Sequence, residues 1–306
     1  MHADDVVVTS GSREGLMLVL MALSARFNRS LRIGVEDPGH PGLRRVISLS
    51  GHTMVPCGVD SSSVTIDSLP HDLDALLVTP SYQYPLGASM PAARRSELLE
   101  WAATTGTVLI EDDFNSELRY RTAPKPPLAA LGARADVVVL GTFTTLVNRS
   151  VATGYVATNS ELIDDIRQTR RTLGMPVSAV TQLAVAHLLR NGHIRRNTKT
   201  VRNRLERRRC VLAETVIPVL NNAGASVTEM AESNGVDLVV KFSSTAERDE
   251  FAQLLATEGI ESGRLDALWS GHDDGLILSF AHISEDDFKE VIGVFEGLKS
   301  SARLPE

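Results

Sequence analysis

The sequence predicts an α/β fold: a mostly parallel mixed sheet with helices on both faces, followed by a smaller C-terminal α/β domain. Three observations predict it. In the first half, uninterrupted β-branched runs of the kind buried on both faces of a sheet alternate with segments whose apolar residues recur at three and four. Near Ser178 the pattern changes to long helices, and beyond Ile217 a shorter β/α pattern returns.

In chain order, the apolar runs predict strands at Val6–Thr9, Arg32–Glu36, Thr53–Val59, Ala75–Thr79, Val108–Asp112, Val137–Gly141 and Thr153–Thr158. Ser12–Ala25 and Pro91–Thr104 carry helical spacing, with Ser or Pro near their starts. Long helices follow at Ala179–Arg190 and His193–Val216, then strands at Val236–Phe242 and Leu276–Phe280. The expected division is a large domain over residues 1–178, interdomain helices over 179–216 and a small domain over 217–306. Pro124–Pro127 reads as a rigid connecting loop.

With 306 residues and 43% hydrophobic content, the chain has enough apolar matter for a sizeable core. The net charge of −7 argues against the general basic footprint of a nucleic-acid or membrane-surface binder. Cys57 and Cys210 are the only cysteines and lie far apart, so neither a disulfide framework nor a zinc site is indicated, and a reducing cytoplasm fits best. No apolar run approaches the ~18 residues of a membrane span, and the N-terminus lacks a signal-peptide pattern. The eight histidines show no metal spacing, no G-x-S-x-G elbow occurs, and isolated residues such as His187 and His272 read as structural or surface side chains.

In an open α/β sheet, chemistry gathers where strands end and helices begin. Two such junctions are TSGSREGL (Thr9–Leu16) and LIEDDFNSELRY (Leu109–Tyr120). At the first, Gly11 permits a tight turn, and the amides of Ser12 and Arg13 open a helix toward an anion; an ordinary capped helix explains the same residues. At the second, Asp112 ends a strand, where acidic residues also commonly cap turns. A third stretch, GTFTTLVNRSVATGY (Gly141–Tyr155), contains no lysine.

Together with VEDPGHPG (Val35–Gly42), VTPSYQYPLG (Val78–Gly87) and GHIRRNTKTVRNRLERRR (Gly192–Arg209), these motifs resemble the aminotransferase-like domain of MocR/GabR-type regulators. Those proteins belong to the fold-type-I pyridoxal-phosphate superfamily. The resemblance covers nearly the whole chain and implies a fold-type-I large domain with a smaller C-terminal domain. It also implies a role for each matched position. Gly11, Ser12 and Arg13 match the phosphate cradle, and Asp112 matches the aspartate that pairs with the cofactor's ring nitrogen. Phe114 stands where a tyrosine usually bonds the ring oxygen. Thr145 stands where the Schiff-base lysine is expected, Ala152 where an arginine clamps the phosphate, and Arg149 where a proline is usual, so that Arg149 is a candidate displaced clamp. Ile277 replaces an arginine that in many aminotransferases grips the substrate carboxylate, and Tyr82 replaces a histidine; Tyr82, Gln83 and Tyr84 read as pocket lining or as a structural turn.

A threonine hydroxyl forms no imine and shuttles no α-proton as an amine does, so ordinary transamination is not expected. Only Lys125, Lys199, Lys241, Lys289 and Lys299 carry side-chain amines, and Lys125 is the one substitute within the large domain, in a position to which the family gives no amine function. The expectation is a degenerate aminotransferase-fold protein, a homodimer, holding a small anionic or aromatic metabolite between Ser12, Asp112 and Arg149 without a covalent bond. Residual non-covalent pyridoxal phosphate or pyridoxamine phosphate fits that reading. Two alternatives stay open: a cofactor-independent enzyme with Asp112, Tyr82 and Tyr84 as acid/base candidates, and a regulatory partner of an active enzyme. The basic segment Arg195–Arg209 reads as a solvated helix. MocR/GabR-type regulators carry a winged-helix DNA-binding domain that this sequence does not show, so no direct nucleic-acid contact is expected.

Overall fold

The structure is a computed structural model describing residues 2–113, 115–119, 125–132, 134–147, 149–174, 177–227, 236–268, 270, 274–281 and 283–300, with the side chains of Arg149 and Ser300 left out. It divides into two compact units. Residues 1–84, 88–117 and 124–199 form the first; residues 85–87, 118–123 and 200–306 form the second.

The first unit is built on a seven-stranded sheet: β1 (Val6–Thr9), β2 (Arg32–Asp37), β3 (Thr53–Gly58), β4 (Ala75–Val78), β5 (Val108–Asp112), β6 (Val137–Thr142) and β7 (Gly154–Ala157), in the order β1-β7-β6-β5-β4-β2-β3. From β6 through β5, β4 and β2 to β3 every pairing is parallel, whereas β7 runs antiparallel to both β6 and β1. Its helices are α1 (Ser12–Phe27), α2 (Pro41–Leu49), α3 (Ala92–Thr105), α4 (Leu162–Leu173) and α5 (Ala179–Arg190).

The unbroken apolar runs are explained by burial on both faces. Val108 and Ile110 of β5 and Val138 and Leu140 of β6 join Leu16, Leu20 and Leu23 of α1 and Leu162 and Ile166 of α4 in one core. Leu109, Val137 and Val139 point the other way, onto Leu98, Leu99 and Ala102 of α3. Each such side chain contributes about 1.5–3 kcal/mol by leaving water. Little alternation is therefore visible along these strands.

α6 (His193–Val211) carries the chain from the first unit into the second, the division falling between Lys199 and Thr200. The expected helix to Val216 is corrected here: α-helical bonding stops at Val211, a π-turn spans Leu212–Val216, and α7 (Ile217–Asn222) then begins with a proline in its first turn. Pro218 has no N–H to give to the preceding turn, which accounts for a break that apolar periodicity does not reveal.

The second unit holds a four-stranded antiparallel sheet of β8 (Ser226–Val227), β9 (Asp237–Lys241), β10 (Gly263–Arg264) and β11 (Gly275–Ser279), ordered β10-β11-β9-β8. Leu238, Val240, Leu276 and Ile277 of this sheet are buried, as are Phe251 and Leu255 of α8 (Thr245–Thr257) and Phe288, Phe295 and Leu298 of α9 (Glu285–Ser300). The solvated reading of the basic segment fails at Arg208. This side chain is buried, donates to the carbonyls of Phe280 (2.7 Å), Ile283 (3.1 Å) and Ser284 (3.1 Å), pairs with Glu285 (3.0 Å) and lies over the Phe288 ring. Among the described residues, no helix is long and apolar enough to cross a membrane.

Candidate functional site

Because β1, β6, β5, β4, β2 and β3 all run the same way, their carboxyl ends open on one edge of the sheet. Thr9, Thr142, Asp112, Val78, Asp37 and Gly58 end those strands, and the reversed β7 starts there at Gly154. Of the sequence-selected positions, Asp112 ends β5, Gly11 lies in the turn that leaves β1, Ser12 and Arg13 open α1, Tyr82 and Tyr84 lie in the loop that leaves β4, and Thr145 lies in the turn that leaves β6.

At one end of the site the chain turns from β1 into α1. Gly11 takes φ 108°, a conformation that suits a residue without Cβ, and as the N-cap of α1 it brings no side chain to cap the first turn. Glu14 is held from behind by Arg170 at 2.5 Å and by the Ser10 amide at 2.5 Å; burial raises its pKa, but these donors leave it below the ordinary value. Gly154 packs directly beneath. A Cβ there would fall 2.4 Å from the Gly141 carbonyl oxygen and 2.8 Å from the Cα of Gly11. The reversed strand and the α1 turn thus need bare backbone against backbone.

Thr145 lies half-buried in the turn that leaves β6. The turn is closed by the Val147 amide on the Phe143 carbonyl (2.9 Å), and Thr142 Oγ1 accepts from the Thr144 amide (3.2 Å). Ala152, just before β7, has φ 39°, which is strained for a residue with a Cβ.

The other end of the site is acidic. Asp112 is 2% exposed, and no described group donates a hydrogen bond to its carboxylate. Burial, then the neighbouring charges of Asp113, Glu36 and Glu111, push its pKa up to about 8. Glu36, near the end of β2, is likewise buried and raised to about 7, chiefly by desolvation, although the hydroxyls of Thr79 and Ser63 both donate to it. Glu111 is raised to about 8 by burial and Asp113; one of its oxygens accepts the Leu128 amide at 2.7 Å and the other has no partner. Asn115 follows with φ 56° and both amide atoms buried without a partner. Burial, then the charges of Asp113, Glu117 and Glu111, raise the Tyr155 phenol to about 12.

Arg95 of α3 braces the loops that leave β4 and β5. Its buried guanidinium donates to the carbonyls of Pro80 (2.9 Å), Met90 (3.2 Å) and Pro126 (2.9 Å). Lys125 donates its amine to the Met90 carbonyl at 2.8 Å. Tyr82 is buried and Tyr84 half-buried; the latter packs its ring 5.5 Å from that of His40. Gln83 is buried and donates to the Pro38 carbonyl at 2.8 Å. His40 caps α2, its Nδ1 accepting from the amides of Gly42 (3.1 Å) and Leu43 (3.3 Å). Burial, then the Arg13 charge, lower its pKa to about 4.

Phe114, His272 and the Arg149 side chain lie outside the described residues. His187 is exposed, with its ring 2.9 Å from the Asn191 amide nitrogen, and Ile277 is a buried residue of the second unit. Among the described residues, no group of three His, Cys, Asp or Glu side chains is arranged to hold a metal ion. Sequence reasoning passed over Glu36, His40, Arg95 and Asn115. Glu36 had a usable signal, since it ends a strand in VEDPG as Asp112 does in IEDD; Arg95 had none, because its helix turn reads as an ordinary charged face.

The chain matches the protein family Aminotransferase class I and II over residues 1–292. It is 38% identical over 291 residues to the HTH-type pyridoxine biosynthesis transcriptional regulator PdxR of Corynebacterium glutamicum, covering 94% of this chain and 62% of that protein. It is 25% identical over 309 residues to the probable rhizopine catabolism regulatory protein MocR of Rhizobium meliloti, covering 99% of this chain and 62% of that protein. The chain therefore spans about three fifths of the length of these relatives. Among solved structures, kynurenine aminotransferase of Pyrococcus horikoshii superposes with a TM-score of 0.82 at 20% identity, over 99% of this chain and 77% of that one. An archaeal alanine:glyoxylate aminotransferase gives 0.83 at 19% identity, over 97% and 76%. Sheet order, the reversed β7 and the extent of these matches converge on one conclusion: this chain has the fold-type-I aminotransferase fold and belongs to the aminotransferase class I and II family.

Proposed function

We propose that this chain is a ligand-binding aminotransferase-fold protein that holds a phosphorylated, nitrogen-containing aromatic metabolite of the vitamin B6 type without a covalent bond, and that it performs no transamination. The observation that carries the reading is Asp112: a buried carboxylate with no described donor, on the same sheet edge as an uncapped helix N-terminus. An unpaired buried carboxylate is costly unless protonated, and a ring N–H⁺ is the partner its position calls for. A phosphate suits the first turn of α1, where free amides and the helix dipole favour negative charge. The ring-nitrogen and phosphate ends of pyridoxal phosphate thus fit the residues present, whereas the aldehyde end does not. Thr145 offers it only a hydroxyl, and the Lys125 amine is engaged by the Met90 carbonyl.

The name of the Corynebacterium relative, a pyridoxine biosynthesis regulator, supports a B6-type ligand, and the prevalence of regulators among the relatives supports sensing over turnover. Borohydride reduction of the protein with pyridoxal 5′-phosphate, followed by peptide mapping, is the test. The expected result is no stoichiometric adduct, together with thermal stabilisation by pyridoxamine 5′-phosphate. A stoichiometric adduct on one internal lysine, or no stabilisation by any B6 compound, refutes the reading.

A further inference from the structure

We infer that the exposed face of α6 is a contact surface for the phosphate backbone of duplex DNA. α6 is one continuous helix over His193–Val211, so helix geometry alone places its side chains around the axis. Ile194, Thr198, Leu205 and Arg208 form its buried side, and Arg195, Lys199, Asn203 and Arg207 are exposed on the other. These exposed residues stand four apart, in a row that climbs ~6 Å per step and ~18 Å from end to end. Three of them are cations.

Other cations of α6 are engaged within the chain. Arg196 donates to the Asn191 carbonyl at 2.9 Å, Arg204 lies 3.9 Å from Glu285, and Arg208 is buried against backbone carbonyls. Among the described residues, none pairs with the side chain of Arg195, Lys199 or Arg207. α6 holds eight arginine and lysine residues against one acid, Glu206, which is half-buried and engaged within the chain. Because the whole chain carries −7, this basic row is local and not part of a generally positive surface. Like charges at four-residue spacing repel along a helix, and a polyanion laid along the row relieves that repulsion.

The occupant follows from the chemistry of the row. A phosphodiester strand repeats its charge evenly, at a step close to that of the row, which makes it the complementary polyanion. α6 carries no aromatic residue, so it offers no platform on which the bases of a single strand could stack. The major groove of B-form DNA admits an α-helix and brings the flanking phosphates within reach of long basic side chains, whereas that of A-form RNA is too narrow. Arginine, lysine and the Asn203 amide all donate to phosphate oxygens, so the contact adds affinity without reading sequence.

Fluorescence anisotropy with a labelled DNA duplex of mixed sequence tests this on wild type, R195Q/K199Q/R207Q and the charge-matched control R45Q/R134Q/R171Q, whose arginines are exposed outside α6. Wild type is expected to bind with a slope of log K against log salt of about −2.7, the value for about three phosphate contacts. The α6 triple variant is expected to lose about a hundredfold in affinity at about 50 mM salt, and the control to stay within about threefold of wild type. K199Q alone is expected to make the slope shallower by about 0.9, a graded change that a merely unfolded helix does not produce. Equal losses in the two triple variants, no binding by wild type, or a slope unmoved by K199Q overturns the assignment of the α6 face. Duplex RNA or poly-L-glutamate binding as tightly as the DNA, with the same dependence on the three residues, overturns the choice of DNA.

Discussion

Glu36 and Asp112 are two buried carboxylates on strands separated only by β4, and the charge of Glu36 helps raise Asp112. Burial is the larger cause for each, bringing them to about 7 and about 8. Both acids thus hold protons in the folded, ligand-free protein at pH values where the unfolded chain has released them. The folded state binds more protons between about pH 4 and pH 8, so stability falls as pH rises through that window and levels off above it. Asp112→Asn removes one of these protonation sites. Melting temperatures measured from pH 5 to pH 8 are expected to decline less steeply in D112N, which gains about 2 °C or more over wild type at pH 8 and little at pH 5. Parallel pH profiles for the two proteins would contradict this.

Gly154→Ala tests the floor of the cradle. The added methyl meets the Gly141 carbonyl and the Gly11 Cα, both backbone atoms that no rotamer change can clear. A loss of about 2 kcal/mol or more in urea unfolding is expected, together with loss of binding of the phosphorylated ligand.

Arg95→Met tests the brace. It leaves the carbonyls of Pro80, Met90 and Pro126 without the donor that now joins them. Stability is expected to fall by about 3 kcal/mol or more, and Arg95→Lys is not expected to rescue it, since one ammonium cannot reproduce a planar fork reaching three carbonyls. Lys125→Ala, by contrast, removes a single hydrogen bond to the Met90 carbonyl and is expected to cost about 0.5–1.5 kcal/mol while leaving ligand affinity unchanged.

The two cysteines are expected to separate cleanly. Cys57 is buried within β3 and its thiol is pushed up to about 11, chiefly by desolvation, whereas Cys210 is exposed on α6. Ellman's reagent at pH 8 should label one thiol in the native protein and the second only on unfolding. Rapid labelling of both in native buffer would show that the β3 edge opens.

The parallel sheet was legible because its strands are apolar on both faces, a pattern few other elements mimic. β1 and β5 fall at their expected residues, and β2, β3, β4, β6 and β7 differ by one residue at one or both ends. The short helices α2 and α4 escaped notice for a physical reason. α2 is only nine residues long, and α4 carries mostly charged and polar residues around Leu162, Ile163 and Ile166. At the site, Asp112 stood out because a carboxylate ending an apolar strand is conspicuous. Arg95 and Arg208 did not, since nothing in a single sequence distinguishes a buried arginine that donates to backbone carbonyls from one in water. Burial is decided by elements far away in the chain, and periodicity reports only near neighbours.

The reversed strand β7 sets the order in which the site can be assembled. The ledge on which the turn at Gly11 rests is made by residues translated long after it, so a nascent chain must expose all six parallel strands before the pocket has a floor. A chain ending before Ala157 therefore lacks the strand on which the turn at Gly11 rests.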